Sequence, residues 1–260
     1  MKLPIYKVDA FAGEVFSGNP AAVIPLESWL PDETMQNIAM ENNLSETAFF
    51  VEEPDRLRIR WFTPAEEVAL CGHATLATAH VLFNHLNCKK KVIEFNSRSG
   101  ILKVEKEGNE LFLDFPASNL QRVDFPEKLI KAFNKTPKEC VRGKDDLMLI
   151  FDNEKTIRSL KPDFSEILKS DYRGIIVTAK GGKADFVSRF FAPRVGVNEN
   201  PVTGSAHTML IPYWSEELKK KKMIACQVST RSGFLICIDN GRRVKIGGEA
   251  VTYLIGEIFI

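Results

Sequence analysis

The sequence of 260 residues has almost no net charge and no long apolar run. Its 35 lysine and arginine residues balance 34 aspartate and glutamate residues, so the basic excess typical of nucleic-acid-binding proteins is missing. No apolar run approaches the roughly 18 residues that a membrane-spanning helix requires, and the first residues contain no apolar secretion signal. We therefore expect a cytoplasmic protein that binds neither nucleic acid nor a membrane.

Motifs for metal sites and disulfides are also missing. The five cysteines are widely spaced without a CxxC pair, and the four histidines form no HExxH motif. An odd number of scattered cysteines is typical of reduced thiols in the cytoplasm. Because no carboxylates cluster with the histidines, the sequence predicts no catalytic metal.

Two segments that are apolar or small on nearly every side predict buried helices. The first begins at Gly72 and extends to about His85, and the second begins at Gly204 and extends to about Lys220. Pro212 lies inside the second segment, so we expect a break or kink there. Alternating apolar and polar residues predict strands on both sides of each helix.

A short internal repeat marks the two halves of the chain. Residues 60–64 read RWFTP and residues 189–193 read RFFAP, and each is followed by a loop and a glycine that begins a predicted helix. The same residue order at the same strand-to-helix junction indicates an internal duplication. The sequence therefore predicts an α+β protein of two similar domains, residues 1–116 and 117–260, with the alternative that the last strand packs back on the first domain.

The two predicted helix starts are candidate binding sites for an anion. Unpaired N–H groups and a partial positive charge attract anions to such starts, and glycine lets a ligand approach the backbone. The residues concerned are Gly72 and His73 in the first half, and Gly204, Ser205 and Ala206 in the second. Two starts that face each other would hold a small acid from both sides. The alternative is that the glycines only allow the buried helices to pack tightly.

A glutamate lies where a predicted amphipathic helix has ended and an apolar strand begins. This residue, Glu46, is part of the segment NLSETAFF. Partial burial there would raise the pKa of its carboxyl group and make it a candidate general acid/base. The alternative is a structural hydrogen bond to a backbone turn.

Five segments in order along the chain resemble the PhzF family of phenazine-biosynthesis isomerase-like proteins. The similarity extends from about residue 5 to residue 258, and it implies the diaminopimelate-epimerase-like fold. In that fold two pseudo-symmetric αβ domains each wrap a curved sheet round a central helix, and the active site lies between them. The segments are DAFAGEVFSGNPAAV (9–23), NLSETAFF (43–50), RWFTPAEEVALCGHATLATAHVL (60–82), NENPVTGSAH (198–207) and RVKIGGEAV (243–251).

The resemblance also implies the reaction. Family members of this kind are cofactor-free isomerases, commonly homodimers, that move a proton on a small organic acid. The glutamate that carries the proton maps to Glu46, the histidine of the GH motif to His73, and the serine of the TGSA motif to Ser205. We therefore predict an isomerase that needs no cofactor and acts on a small anionic metabolite, a carboxylic acid with a ring or conjugated double bond. Ser17 and Asn19 complete the predicted binding residues.

The chain departs from the family pattern before the TGSA motif. Family members usually have an aspartate where this chain has Asn200, and an asparagine cannot carry charge or shuttle a proton. Asn200 is therefore predicted to orient the ligand. The alternative function is a non-catalytic member of the family that binds a small molecule.

Cys71 raises the question of a thiol mechanism. Epimerases of the implied fold use two cysteines, one in each domain, but the repeat aligns Cys71 with Thr203. Threonine is too weak an acid to act as the partner of a thiol. The sequence therefore favours a small buried residue at the helix start over a catalytic thiol.

Overall fold

The structure is a computed structural model that describes residues 1–54 and 56–260. The chain divides into two compact units, the first made of residues 1–114 and 247–260 and the second of residues 115–246. We propose that these units are the two domains of the protein.

Helices and strands alternate along both units. The helices are α1 (Asp32–Asn42), α2 (Gly72–Asn84), α3 (Ile130–Phe133), α4 (Glu154–Ser159), α5 (Phe164–Ile167) and α6 (Gly204–Leu218), with 3-10 helices at Glu127–Leu129 and Pro193–Val195. The first strands are β1 (Lys2–Ala10), β2 (Asn19–Leu26), β3 (Glu46–Glu52), β4 (Leu57–Phe62), β5 (Glu67–Val68), β6 (Val92–Ser97), β7 (Gly100–Glu107), β8 (Glu110–Pro116) and β9 (Gln121–Val123). The others are β10 (Glu139–Arg142), β11 (Asp146–Ile150), β12 (Gly174–Lys180), β13 (Phe186–Ala192), β14 (Val197–Asn200), β15 (Lys222–Gln227), β16 (Gly233–Asp239), β17 (Arg243–Gly248) and β18 (Ala250–Phe259).

In the first unit, the strands form a mixed sheet whose pairings follow a definite order. β1 is antiparallel to β2 and to β18, and β2 is parallel to β3. β3 is antiparallel to β4, which is antiparallel to β5 and parallel to β6. Hairpins then join β6 to β7 and β7 to β8.

The second unit repeats this order. β10 is antiparallel to β11 and to β9, and β11 is parallel to β12. β12 is antiparallel to β13, which is antiparallel to β14 and parallel to β15, and β15 is antiparallel to β16. The strands β10 to β16 thus correspond, one by one and in the same order, to the strands β1 to β7. The duplication predicted from the sequence is therefore confirmed in the topology.

The two predicted buried helices are confirmed as α2 and α6. α2 packs against β1, β2, β3, β7 and β18, and most of its residues are buried. Polar side chains in such a helix need partners, and the hydroxyls of Thr75 and Thr78 donate to the carbonyls of Cys71 and Ala74, one turn earlier. Among the helices of the described residues, α6 is the longest, with 15 residues, and none is long and apolar enough to cross a membrane.

Of the break or kink expected at Pro212, the break does not occur. α6 passes through this residue without interruption. Proline has no N–H to bond the carbonyl of Thr208 one turn earlier, but the backbone N–H of Ser118 donates to that oxygen at 3.0 Å. Because the carbonyl is hydrogen-bonded from outside the helix, the chain continues as a helix beyond the proline.

Candidate active site

In both units an arginine–glutamate pair holds the loop that leads to the central helix. The guanidinium of Arg60 donates two hydrogen bonds of 2.8 Å to the carboxylate of Glu67. Arg189 binds Glu199 in the same way, at 2.7 and 2.9 Å. Both arginines belong to the repeat identified in the sequence, but the glutamates were not predicted. The signal was present, because each glutamate lies five residues before the glycine that begins the helix.

A serine holds the next part of each loop. In the first unit the hydroxyl of Ser99 donates to the carbonyl of Ala69 at 2.7 Å, and in the second the hydroxyl of Ser229 donates to the carbonyl of Pro201 at 2.7 Å. Ala69 and Pro201 occupy the same place in the two loops, two residues after the glutamate. The two helix starts are therefore built on equivalent frameworks, and the side chains added to each framework decide its chemistry.

Glu46 is positioned by the turn between α1 and β3. Asn43 ends α1 in the left-handed conformation with φ of 47°, and Glu46 begins β3 opposite Ala21 of β2. The side-chain amide of Asn42 donates to the hydroxyl of Thr47 at 3.1 Å and ties the end of the helix to the strand. The carboxyl group therefore extends from the first residue of a strand whose next five residues are buried.

The structure brings Glu46 together with His73 and Cys71 at the start of α2. Glu46 Oε2 lies 3.2 Å from His73 Nε2, and Cys71 Sγ lies 3.5 Å from His73 Nδ1. The side chain of His73 is 5% exposed and that of Glu46 is 17% exposed. Cys71 is buried, as the sequence predicted, but it contacts the predicted site directly.

Two buried polar atoms of this cluster have no directed hydrogen bond. Glu46 Oε2 and His73 Nε2 are close together, yet within residues 1–54 and 56–260 neither forms a hydrogen bond of acceptable geometry. Buried polar atoms in proteins are nearly always paired, so each exception needs an explanation, such as a catalytic role or an ordered water. A polar group that contacts both atoms would satisfy this pair.

Burial gives the three side chains different protonation states. It raises the pKa of Glu46 to about 7, partly opposed by a hydrogen bond from the Cys71 thiol, and it lowers the pKa of His73 to about 3. Burial and the nearby Glu46 carboxylate also raise the pKa of Cys71 well above its ordinary value. Near neutral pH the imidazole is thus uncharged and the thiol protonated, while the carboxyl group is partly ionised. This is the arrangement expected of a carboxyl acid/base.

The same three side chains have the composition of a metal site. One ligand atom from each of Glu46, Cys71 and His73 lies within 4.8 Å of the other two. However, His73 faces the sulfur with Nδ1 and the carboxylate with Nε2, and one ion binds only one of these nitrogens. The contacts as they stand are therefore those of a hydrogen-bonding cluster, and the predicted absence of a metal stays a prediction.

The predicted residues of the second unit lie at the start of α6. Gly204 is the first helical residue, and Ser205 and Ala206 follow it in the first turn. Asn200 ends β14, where its carbonyl accepts a hydrogen bond from the side chain of Gln227 at 2.8 Å. Gln227 also accepts from the backbone N–H of Thr203 at 2.9 Å. This amide therefore fixes the segment from Asn200 to Thr203.

Arg173 is a residue of this region that the sequence analysis missed. Its Nη2 donates to the hydroxyl of Ser205 at 3.3 Å, and its Nε donates to the carboxylate of Asp146 at 2.9 Å. A single arginine before a strand has no sequence pattern that distinguishes it from a solvated surface residue.

Ser17 and Asn19 lie around the turn between β1 and β2. The hydroxyl of Ser17 donates to the carbonyl of Glu14 at 2.8 Å, and Asn19 is fully buried as the first residue of β2. Gly18 between them has φ of +67°, and a Cβ there would lie 2.2 Å from the carbonyl oxygen of Ala10. The turn therefore needs glycine, and the role of Ser17 and Asn19 in binding stays a prediction.

The fold belongs to a class that includes amino-acid epimerases. A hydroxyproline epimerase from Agrobacterium vitis superposes with a TM-score of 0.62 over 99% of this chain and 92% of that chain, at 10% identity. Identity this low concerns the fold alone. The predicted diaminopimelate-epimerase-like α+β fold is confirmed.

The chain belongs to the PhzF family, as its sequence motifs predicted. The family model described as phenazine biosynthesis-like protein matches residues 8–256. A crystal structure of a PhzF family protein from Enterococcus faecalis is 48% identical, with a TM-score of 0.97 over the whole of both chains. Two proteins of Pseudomonas aeruginosa, each named an uncharacterized isomerase, are 50% identical over 258 and 260 residues, at least 99% of each chain.

Proposed function

We propose that this protein is an isomerase that moves a proton between two carbon atoms of a small carboxylic acid. Glu46 as carboxylate takes the proton from one carbon, and the electron pair of the broken C–H bond is delocalised into the substrate. The same carboxyl group then returns the proton to another carbon. One proton leaves and one returns, so the step balances without an oxidant or a reductant.

One observation carries this proposal. The carboxyl oxygen Glu46 Oε2 is buried 3.2 Å from His73 Nε2, and no directed hydrogen bond within the described part of the chain satisfies either atom. A substrate with polar groups would supply hydrogen-bond partners for both atoms. The pKa of Glu46, raised to about 7 by burial, suits a group that must both accept and return a proton near neutral pH.

The neighbours of Glu46 support this role. The imidazole of His73 is neutral because burial lowers its pKa to about 3, so it can orient the substrate without competing for its proton. The Cys71 thiol hydrogen-bonds the carboxyl group and favours its ionised form. We include in the proposal that Gly204, Ser205 and Ala206 bind the substrate carboxylate, with Asn200 orienting it.

Solvent deuterium incorporation tests the proposal. Candidate cyclic and conjugated carboxylic acids are incubated in D₂O with wild-type protein, and exchange of carbon-bound hydrogen is followed by NMR. The Glu46→Gln variant should bind the same acid but lose exchange by roughly a hundredfold or more, the size of a general acid/base contribution. Glu41→Gln changes an exposed glutamate and is the matched control. Equal exchange in wild type and Glu46→Gln would refute the mechanism.

The pH dependence gives a second readout of the same group. Glu46 must be ionised to take the proton, and its pKa is about 7. The value of kcat/KM should therefore rise as the pH increases through about 7 and then level off. This rise of kcat/KM with pH should be missing from the residual activity of Glu46→Gln.

Asn200 favours a second candidate function, a family member that binds a small acid without converting it. Its amide replaces the aspartate usual in the family and cannot transfer a proton. Wild-type protein that binds a carboxylic acid but exchanges none of its hydrogens would support this function. Recovery of exchange in Asn200→Asp would then identify the missing carboxylate as the cause.

A further inference from the structure

The guanidinium of Arg173 is held in place by a buried carboxylate. Nε donates to Asp146 Oδ1 at 2.9 Å and Nη2 donates to Asp146 Oδ2, so both carboxylate oxygens are occupied by one fork. The side chain of Asp146 is 6% exposed, whereas that of Arg173 is 41% exposed. The acid is therefore the fixed partner, and the guanidinium is the part that a ligand can reach.

The free edge of this guanidinium lies beside the start of α6. Nη2 also donates to Ser205 Oγ at 3.3 Å, whereas Nη1 has no hydrogen-bond partner within residues 115–246. Arg173 lines a cavity of about 1100 Å³ in the second unit, together with Lys128, Arg142 and Arg194. A hydroxyl and a pre-oriented guanidinium thus adjoin the unpaired N–H groups of a helix start, a combination that suits a carboxylate.

The first unit has no such pair at the equivalent positions. Strand pairing places Gly174 opposite Asp146, as it places Glu46 opposite Ala21. The second unit thus has glycine where the first has its candidate acid/base, and aspartate where the first has alanine. A Cβ on Gly174 would lie 2.3 Å from Phe190 Cζ and 3.2 Å from Asp146 Oδ1. The missing side chain therefore leaves room for the phenyl ring and the Arg173–Asp146 pair.

We infer that Arg173 binds the carboxylate of the substrate, together with Ser205 and the first N–H groups of α6, and that Asp146 positions it. This inference rests on the proposed function, because it assigns the recognition of the acid to the second unit. It also restricts the substrate to molecules with a carboxylate. The ligand carboxylate would occupy the open edge of the guanidinium and accept from Nη1, because the two N–H groups of Nη2 already donate to Asp146 and Ser205.

Affinity measurements with a matched pair of ligands test this inference. The probes are 3-hydroxyanthranilate, a stable ring acid, and 2-aminophenol, the same ring without the carboxylate. Loss of a charge-assisted hydrogen bond should weaken binding of the acid by roughly tenfold or more in Arg173→Met, with no change for 2-aminophenol. Arg173→Lys, which keeps the charge but not the fork, should lose less. Arg194→Met, from the same cavity, is the control and should bind as wild type.

A second variant protects the test against misfolding. Arg173→Met leaves Asp146 buried without a counter-charge, whereas the double variant Asp146→Ala/Arg173→Met removes both charges and places alanine where the first unit has Ala21. It should fold and show the same loss for the acid. Wild-type affinity for the acid in Arg173→Met or in Asp146→Ala/Arg173→Met would overturn the inference. So would a failure of the wild-type protein to bind the acid.

The outcomes for Arg173 and Glu46 are separable. Failure of the inference alone appears as unchanged acid affinity in Arg173→Met, while exchange is still lost in Glu46→Gln. Failure of the proposed function alone appears as weakened acid binding in Arg173→Met, while exchange is unchanged in Glu46→Gln.

Discussion

The two helix starts share one framework but present different side chains. Each has an arginine–glutamate pair and a serine bonded to the loop carbonyl, yet the first start has Cys71 and His73 where the second has Thr203 and Ser205. The residue one turn into the helix also differs. In the first unit the hydroxyl of Thr75 donates to the carbonyl of Cys71, and in the second the imidazole of His207 contacts the carbonyl of Thr203. The duplicated scaffold has thus diverged in the side chains at the two helix starts.

Under the proposed function, this difference corresponds to a division of roles between the units. The first unit has the groups that can exchange a proton, because burial of Glu46 moves its pKa to about 7. At the equivalent place the second unit has Gly174, and it has a guanidinium–carboxylate pair beside the helix start. A duplication that began with two equal halves can in this way supply acid–base chemistry from one half and anion recognition from the other.

The largest expected difference concerns the two arginine–glutamate pairs. Arg189 has no carboxylate partner other than Glu199 in the described part of the chain, and its Nη1 donates to carbonyls, so Glu199→Gln leaves a partly buried charge without a counter-charge. This should cost about 3 kcal/mol of unfolding free energy in urea denaturation, the low end for a broken buried pair, because both side chains are only partly buried. Glu67→Gln should cost about half as much, because Arg60 keeps an ion pair with Asp32 at 2.8 Å.

A double variant serves as the control for that comparison. Asp32→Asn combined with Glu67→Gln removes both partners of Arg60 and should approach the cost of Glu199→Gln. Equal costs for Glu67→Gln and Glu199→Gln alone would show that the two pairs are energetically equivalent after all.

The second prediction concerns stability and pH in the first unit. The folded protein keeps the Glu46 proton up to a pKa of about 7, whereas the unfolded chain releases it near 4.5. Between these values the folded state binds more protons, so this residue makes the protein less stable as the pH rises. The free energy of unfolding of Glu46→Gln should therefore rise relative to wild type by up to roughly 3 kcal/mol between pH 4.5 and pH 7. Above pH 7 the difference should stay constant.

Urea denaturation of both proteins across this pH range measures the effect. The opposite contribution of His73, whose lowered pKa costs stability as the pH falls below 6.5, is present in both proteins and largely cancels in the difference. A constant difference between wild type and variant from pH 4.5 to pH 7 would show that the carboxyl group has an ordinary pKa.

The third prediction concerns the position equivalent to Glu46 in the second unit. Gly174→Ala places a methyl group 2.3 Å from the ring of Phe190, so the ring must move. The substitution should cost about 2 kcal/mol, as is usual for an overpacked core. Gly182→Ala is the control, because its added methyl has its nearest contact at 3.5 Å. Recovery of stability in Gly174→Ala/Phe190→Leu would confirm that the ring is the obstacle.

The smallest expected effect is that of the thiol. Cys71→Ser should change the exchange rate of an active acid by less than about fivefold, because Glu46, not the sulfur, carries the proton in the proposed step. The hydroxyl introduced by this substitution can still donate a hydrogen bond to the Glu46 carboxyl group. A loss as large as that of Glu46→Gln, with binding intact, would instead assign the proton transfer to the thiol.

Much of this arrangement was predictable because it depends on local pattern. The apolar runs after Gly72 and Gly204 predicted the two central helices, and the motif around Glu46 and His73 predicted two members of the cluster. The repeat predicted equivalent junctions, since both copies have the same residues in the same order. These signals are contained in short stretches of the chain.

The rest depends on contacts between distant residues. Asp146 and Arg173 are 27 residues apart and meet only because β11 and β12 are parallel neighbours. The continuity of α6 at Pro212 depends on Ser118, 90 residues before the helix turn that it completes. Neither pairing has a local pattern, so the guanidinium was missed and the helix break was wrongly expected.

The pairing of β18 with β1 has a consequence for the order of folding during synthesis. β18 supplies one whole neighbour of β1, but the ribosome makes it only after the second unit, whose residues 115–246 are contiguous. The second unit can therefore complete its tertiary structure first, although it is translated later. Until then β1 has an open edge that another chain could pair with, so the nascent protein is most prone to aggregation in its earliest-made half.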